Sequence, residues 1–162
     1  MDQGALKKMA ADAAVEYVKD GQIVGLGTGS TLRYVVAKLG ERVKKGLRIR
    51  GVATSLETAR LATEAGIPLL ADDAEWGVDL ALDGADQVDP RLNLIKGGGG
   101  ALFVTEAGHY ILDLWFPKID DPARLETELE KTPGVVCTGL FVGRADLAVV
   151  ATQQGIVTLT RP

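Results

Sequence analysis

Apolar residues near the start of the chain fall at Leu6, Met9, Ala10, Ala13 and Tyr17, the 3.6-residue repeat of an amphipathic helix that Gly21 is placed to close. The pattern then changes period. Ile23 to Leu26 is a short apolar run leading directly into Gly27-Thr28-Gly29-Ser30-Thr31, after which the helical repeat resumes at Leu32, Val35, Val36, Leu39 and Val43. Strand, glycine loop and helix follow one another in that order. Leu47 to Ala53 alternates apolar with basic residues as a second strand, and Ser55 is placed to cap a helix through Leu56, Ala59, Ala62 and Ala65 before Gly66. Ile67 to Leu70 predicts a brief strand, Asp72 to Glu75 a solvated turn, and Val78 to Leu82 a further strand ending at Asp83-Gly84-Ala85-Asp86. Strands alternating with helices predict a parallel sheet covered on both faces.

The second half carries a different rhythm. Leu92 to Ile95 predicts a strand, Lys96 to Gly100 a loop, and Phe103 to Thr105 with Tyr110 to Leu114 a hairpin about Glu106-Ala107-Gly108-His109. Asp121 followed by Pro122 predicts a helix start, with Leu125 and Leu129 on its apolar side and Pro133-Gly134 beyond its end. Val135-Val136, Leu147 to Ala151 and Ile156 to Leu159 are predicted strands, the last two joined at Gln154-Gly155. No repeat, low-complexity tract or linker interrupts this order. The expectation is one α/β domain over residues 1–162, Rossmann-like and three-layered, with a mainly parallel sheet and an antiparallel C-terminal portion.

Composition narrows the function classes. With 18 Lys and Arg against 22 Asp and Glu the net charge of -4 gives no general attraction to a polyphosphate backbone, so nucleic acid is not an expected partner. The uncharged stretches 132–143 and 147–160 are broken by Gly or Gln and fall short of the roughly 20 apolar residues that span a bilayer, so no membrane segment is expected. Cys137 is the one cysteine and no secretory leader pattern precedes the first helix, which fits a reducing cytoplasm. Glycine stands out at 20 of 162 residues, and it is clustered.

Those clusters hold the candidate chemistry. Glycines after a strand let the backbone turn tightly, and the N–H groups opening the next helix can receive an anion, with Thr28, Ser30 and Thr31 adding hydroxyls. A bare strand-to-helix turn needs the same glycines. Nucleotide binding asks for an acid at the tip of the second strand, where this chain reads Arg50-Gly51-Val52-Ala53-Thr54-Ser55, so that reading loses weight. Asp83 and Asp86 stand at the carboxyl end of a predicted strand, where they can hold sugar hydroxyls, bind a metal, move protons, or simply cap a turn. No histidine or further acid stands beside them at ligand spacing, and no metal or other cofactor is expected. Lys96 ahead of four glycines can set a positive charge against an oxyanion, or lie solvated. His109 in a predicted turn reads as structural or solvated and Cys137 in an apolar run as a buried small hydrophobe, and neither is given a role.

Taken together, Gly25-Leu26-Gly27-Thr28-Gly29-Ser30-Thr31, Asp83-Gly84-Ala85-Asp86, Lys96-Gly97-Gly98-Gly99-Gly100-Ala101-Leu102 and Pro133-Gly134-Val135-Val136-Cys137-Thr138-Gly139-Leu140-Phe141 closely resemble the A-type ribose-5-phosphate isomerases. The resemblance covers almost the whole chain. It implies interconversion of ribose 5-phosphate and ribulose 5-phosphate without a metal, a pentose phosphate or similar small anion as ligand, and a homodimer. It implies Asp83, Asp86 and Lys96 as catalytic residues handling O1 and O2 as an enediolate forms, and Thr28, Gly29, Ser30, Thr31, Gly84, Ala85, Gly97, Gly98 and Gly99 as substrate-binding residues.

One departure bears on turnover. In the family the lysine and glycine loop continues through Ala-Leu into a helix bearing Arg-Glu-Lys, whose glutamate is the general base. Here Ala101-Leu102 is followed by Phe103-Val104-Thr105, and the position nine after Lys96 is Thr105. The sequence from Val104 to Leu114 resembles a hairpin that the family places much later, so the chain reads as internally excised near Leu102 and Phe103. Gln87 is a smaller change, where the family usually has glutamate. The expectation is an isomerase-like protein with impaired or absent turnover; the alternatives are a non-catalytic sugar-phosphate or anion-binding domain, engineered or degenerate, and, with less support, a nucleotide or S-adenosylmethionine binder.

Overall fold

The computed structural model describes residues 1–71, 77–97, 105 and 108–161. Within the expected span of 1–162 they form two compact units, Met1–Gly84 with Val149–Val157, and Ala85–Ala148 with Thr158–Pro162.

In the first unit the N-terminal helix α1 spans Gln3–Val15, earlier at both ends than the apolar repeat predicts. Asp2 is the reason at the front, because its carboxylate accepts from Ala5 N at 2.7 Å and satisfies one of the amides a helix leaves unpaired. Gly21 instead serves the turn into the sheet, its N–H donating to Arg48 O at 2.6 Å. Strand β1, Ile23–Leu26, is followed by α2, Leu32–Lys44, then β2, Arg50–Ala53, α3, Leu56–Ala65, and β3, Leu80–Leu82. The Ser55 hydroxyl caps α3 by accepting from Thr58 N, and Gly66 ends it in the left-handed region at φ 81, both as their residue types predict.

The three strands form a parallel sheet in the order β2-β1-β3, with Val24 opposite Gly51 and Leu80. Parallel pairing aims the carboxyl ends of all three strands the same way, and the glycine loop leaves from the central one. The segment predicted as a strand at Ile67 to Leu70 contributes only an isolated parallel bridge between Leu69 and Gly51. Val15, Val24, Leu26, Leu32, Val36, Leu39, Ile49, Ala62 and Ile67 pack into one core between helices and sheet; burial follows the predicted repeat in α2, whereas α1 buries Ala11 and Val15, Tyr17 just past it is exposed, and α3 leaves Leu56 exposed. Removing those side chains from water supplies the main stabilisation of this unit, at about 25 cal/mol per Å² of apolar surface.

The second unit is built from short antiparallel strands. β4, Gln87–Val88, and β6, Leu140–Phe141, flank β5, Leu94–Ile95, with Val88 opposite Leu94 and Leu94 opposite Phe141. Neither β4 nor β6 was expected from the sequence, since two-residue strands carry too few positions to show a period. The Asp89 carboxylate builds the turn between β4 and β5 by accepting from Arg91 N, Asn93 N and Asn93 Nδ2 at 2.8, 2.9 and 2.8 Å. Burial alone would raise its pKa, but the hydrogen bonds from Asn93 and Arg91 prevail and hold the carboxyl below its ordinary value. That turn also holds Leu92 at φ 60, a conformation disfavoured for a leucine and retained because its side chain is fully buried.

Helix α4, Pro122–Glu130, begins as predicted, with Asp121 accepting from Arg124 N at 3.0 Å and proline in the first turn. None of its residues is fully buried. The predicted hairpin is met only in part. Thr105 N donates to His109 O at 2.7 Å and closes its turn, whereas no strand forms over 111–114; Val135-Val136 forms none either, and without a strand to pack it Cys137 is exposed rather than buried. Phe103 and Glu106 lie outside the described residues. The last strands, β7 at Leu147–Thr152 and β8 at Gly155–Thr160, pair as expected, but their turn is at Gln153-Gln154, one residue earlier than the sequence predicts, and Gly155 opens β8. Among the described residues no helix is long and apolar enough to cross a membrane.

Candidate functional site

The glycine loop leaves β1 under restraint from both neighbouring strands. Gly27 N donates to Leu82 O of β3 at 2.9 Å, and Thr54 N, just past β2, donates to Leu26 O at 3.0 Å. Side chains add to this grip. The buried Thr58 hydroxyl donates to Gly27 O at 2.9 Å, and the hydroxyls of Thr54 and Thr28 share a hydrogen bond of 2.8 Å. A loop held at its first residues in this way presents Gly29, Ser30 and Thr31 in a fixed place ahead of α2. Thr31 occupies the N-cap of α2 without making a side-chain capping bond, and Ser30 and Gly29 are exposed.

Asp83 stands over this loop. A Cβ added to Gly27 would lie 2.2 Å from Asp83 Cγ and from its Oδ1, so the missing side chain of Gly27 is the space the carboxylate occupies. Gly84 N donates to Asp83 Oδ1 at 2.8 Å, and a Cβ on Gly84 would meet Thr31 at 3.5 Å. The structure therefore brings Thr28 through Thr31, Asp83 and Gly84 together at the carboxyl end of the parallel sheet.

Lys7 was not anticipated. Its Nζ donates to Ser30 Oγ at 2.8 Å, carrying a cation from α1 to the loop. Thr54 and Thr58 were likewise missed as loop supports. Of these only Thr58 carries a sequence signal, a polar residue on the buried side of a helix, and that signal does not name a partner. A substitution Lys7→Met is expected to weaken binding of a phosphate-bearing ligand about tenfold, the scale of a hydrogen bond to a charged group, as read by calorimetric titration.

In the second unit, Asp86 N donates to Ile95 O at 2.8 Å, which sets Asp86 against the residue preceding Lys96. Lys96 N in turn donates to Gly139 O at 2.8 Å. Ala85 and Gly97 flank these two, and Gly97 has φ 85, a left-handed conformation suited to glycine. Gly98 and Gly99 lie outside the described residues. Among the described residues no group of three or more His, Cys, Asp or Glu side chains is placed to hold a metal ion.

A parallel sheet with a braced glycine loop at the carboxyl end of its central strand, in a chain whose second unit carries antiparallel strands, is the arrangement of a Rossmann-like α/β protein. The family model for ribose 5-phosphate isomerase A (phosphoriboisomerase A) matches residues 50–104 and 101–155. The chain is 34% identical to a ribose-5-phosphate isomerase A of Pyrococcus abyssi, covering 96% of this chain and 98% of that one. A solved D-ribose-5-phosphate isomerase in complex with phospho-erythronic acid superposes with a TM-score of 0.92 at 32% identity, covering 99% of this chain and 100% of that one. The isomerase from Methanocaldococcus jannaschii gives 0.89 at 30% identity with the same coverage. This chain belongs to the ribose 5-phosphate isomerase A family. Its match to the Pyrococcus abyssi protein runs over 224 aligned positions, 62 more than the 162 residues present here.

Proposed function

We propose that this chain binds ribose 5-phosphate, or a closely similar pentose phosphate, and that its isomerase turnover is impaired or lost. The observation that carries the binding half is the braced loop at Thr28 to Thr31 under Asp83, with Lys7 bonded to Ser30. Hydroxyls, a helix N-terminus and a lysine are the donors an anionic ligand needs. The solved relative with phospho-erythronic acid, a sugar-acid phosphate, supports the ligand class. Asp83, Asp86 and Lys96 take the roles the family gives them, holding the sugar oxygens O1 and O2 as the enediolate develops.

Isomerisation also needs a base that removes the proton from C2 of the open-chain aldose and returns it to C1, while a proton passes between O2 and O1. Thr105 stands nine residues after Lys96, where the family's glutamate would fall. A threonine hydroxyl is no general base near neutral pH, and here Thr105 Oγ1 is engaged in accepting from His109 N at 3.0 Å. The excess of aligned positions over chain length, and a family match in two segments meeting at 101–104, support an internal deletion at that place. A nucleotide or S-adenosylmethionine ligand is disfavoured. The tip of β2 offers no acid for a ribose, and Thr54 there braces the loop instead.

The test of this reading is titration with ribose 5-phosphate beside a coupled isomerase assay. Saturable binding without turnover of ordinary enzymic size is expected, and no binding at millimolar ligand would overturn it. Chelator is expected to leave the affinity unchanged.

We also propose self-association as a homodimer. In the second unit Tyr110, Leu112 and Trp115 are 76, 73 and 85% exposed, a density of apolar surface that a soluble monomer rarely leaves bare. Two-fold pairing is the commonest way to cover such a face. Light scattering after size exclusion should report a dimer at micromolar concentration; a clean monomer at high micromolar concentration would refute it.

A further inference from the structure

Lys96 has a long, four-carbon side chain, and a flexible cation directs charge poorly unless something holds it. Its backbone is held by β6 and the residues leading into it. Lys96 N bonds Gly139 O, and Gly139 approaches so closely that a Cβ there would lie 2.4 Å from Lys96 O. Two residues further on, β6 delivers Phe141, whose ring centroid lies 6.0 Å from Lys96 Nζ. The same ring is faced by Arg144, with Cζ 5.6 Å from the centroid. Arg144 is itself anchored to α4 through Glu126 at 3.0 Å, a carboxylate whose side chain is only 13% exposed, and through Glu130 at 3.9 Å.

We propose that Phe141 is a positioning residue for Lys96, its ring face holding the ammonium where β5 pairs with β6. The inference rests on the reading of Lys96 as a ligand-contacting residue. An aromatic face attracts a cation through its quadrupole. Unlike a carboxylate, it does so without cancelling the charge. Aligned with β5, Phe141 sits opposite Leu94, and so the strand pairing that fixes the Lys96 backbone also fixes the ring.

Titration with phospho-erythronic acid, paired with the proton NMR shift of the Lys96 ε-methylene, tests this. In the unsubstituted protein the ring current should move that methylene upfield. Phe141→Leu keeps apolar bulk but removes the ring; it should abolish the upfield shift and weaken binding about two- to fivefold, the scale of a partly exposed cation–ring contact. Phe141→Tyr should restore both. In Lys96→Met, adding Phe141→Leu should cost nothing more. An affinity loss in Phe141→Leu that persists in the Lys96→Met background, or that Phe141→Tyr fails to rescue, would make Phe141 merely structural and overturn the proposal. A normal Lys96 methylene shift in the unsubstituted protein would overturn it as well. If Lys96→Met binds as tightly as the unsubstituted protein while the upfield shift is present, the reading of Lys96 as a ligand contact fails, although the ring still holds the side chain.

Discussion

Protein purified free of host isomerase is expected to convert ribose 5-phosphate to ribulose 5-phosphate at least about a hundredfold more slowly than a relative that keeps its glutamate, because general base catalysis contributes about 10²- to 10⁴-fold. The residue in the corresponding place, Thr105, is a turn-former whose backbone and hydroxyl are both spent on His109. Loop geometry and oxygen contacts cannot compensate, because the proton between C1 and C2 must have somewhere to go. A turnover number in the ordinary enzymic range would refute the expectation. If a trace rate is measured, Glu106→Gln decides whether that neighbouring carboxyl supplies it: an unchanged rate excludes it.

Replacing Gly27 by alanine is expected to have the second largest effect. The new methyl would lie 2.2 Å from Asp83 Cγ and 2.8 Å from Asp83 Cβ, so a simple rotation of the carboxylate does not clear it and the backbone of β1 or β3 has to move. Overpacking of this kind costs about 1–3 kcal/mol. In a chain of this size each kcal/mol lowers Tm by about 2–4 °C, and a melt should show the drop. Ligand affinity should fall further than stability suggests, by about tenfold or more, since a displaced carboxylate loses a charged hydrogen bond to the sugar. The double variant Gly27→Ala/Asp83→Gly removes the atoms the methyl meets and should recover much of the stability but none of the affinity. Recovery of neither would mean that the glycine serves the backbone path rather than the space for Asp83.

Local chemistry determined much of this protein. The glycine loop between an apolar strand and a 3.6-residue repeat is a continuous stretch of chain, and so is Asp83-Gly84-Ala85-Asp86 at a strand end; both were legible because sequence neighbours remain neighbours in space. Helix caps at Ser55 and Asp121 were legible for the same reason, since a capping oxygen reaches amides only two or three residues away. The register of the site was not. That Gly27 is small because Asp83 needs the room, that Lys7 reaches Ser30 from another helix, and that Thr54 and Thr58 brace the loop are contacts across 23 or more residues. No local period encodes them. The antiparallel strands β4 and β6 escaped notice because two residues cannot show an alternation, and their existence is decided by pairing with β5. Phe141 reads in sequence as one apolar residue among several; only strand pairing sets its ring beside a lysine 45 positions earlier. Periodicity and capping act within a turn or two of chain, whereas the side-chain geometry of a binding edge is fixed by which strands the whole core forces together.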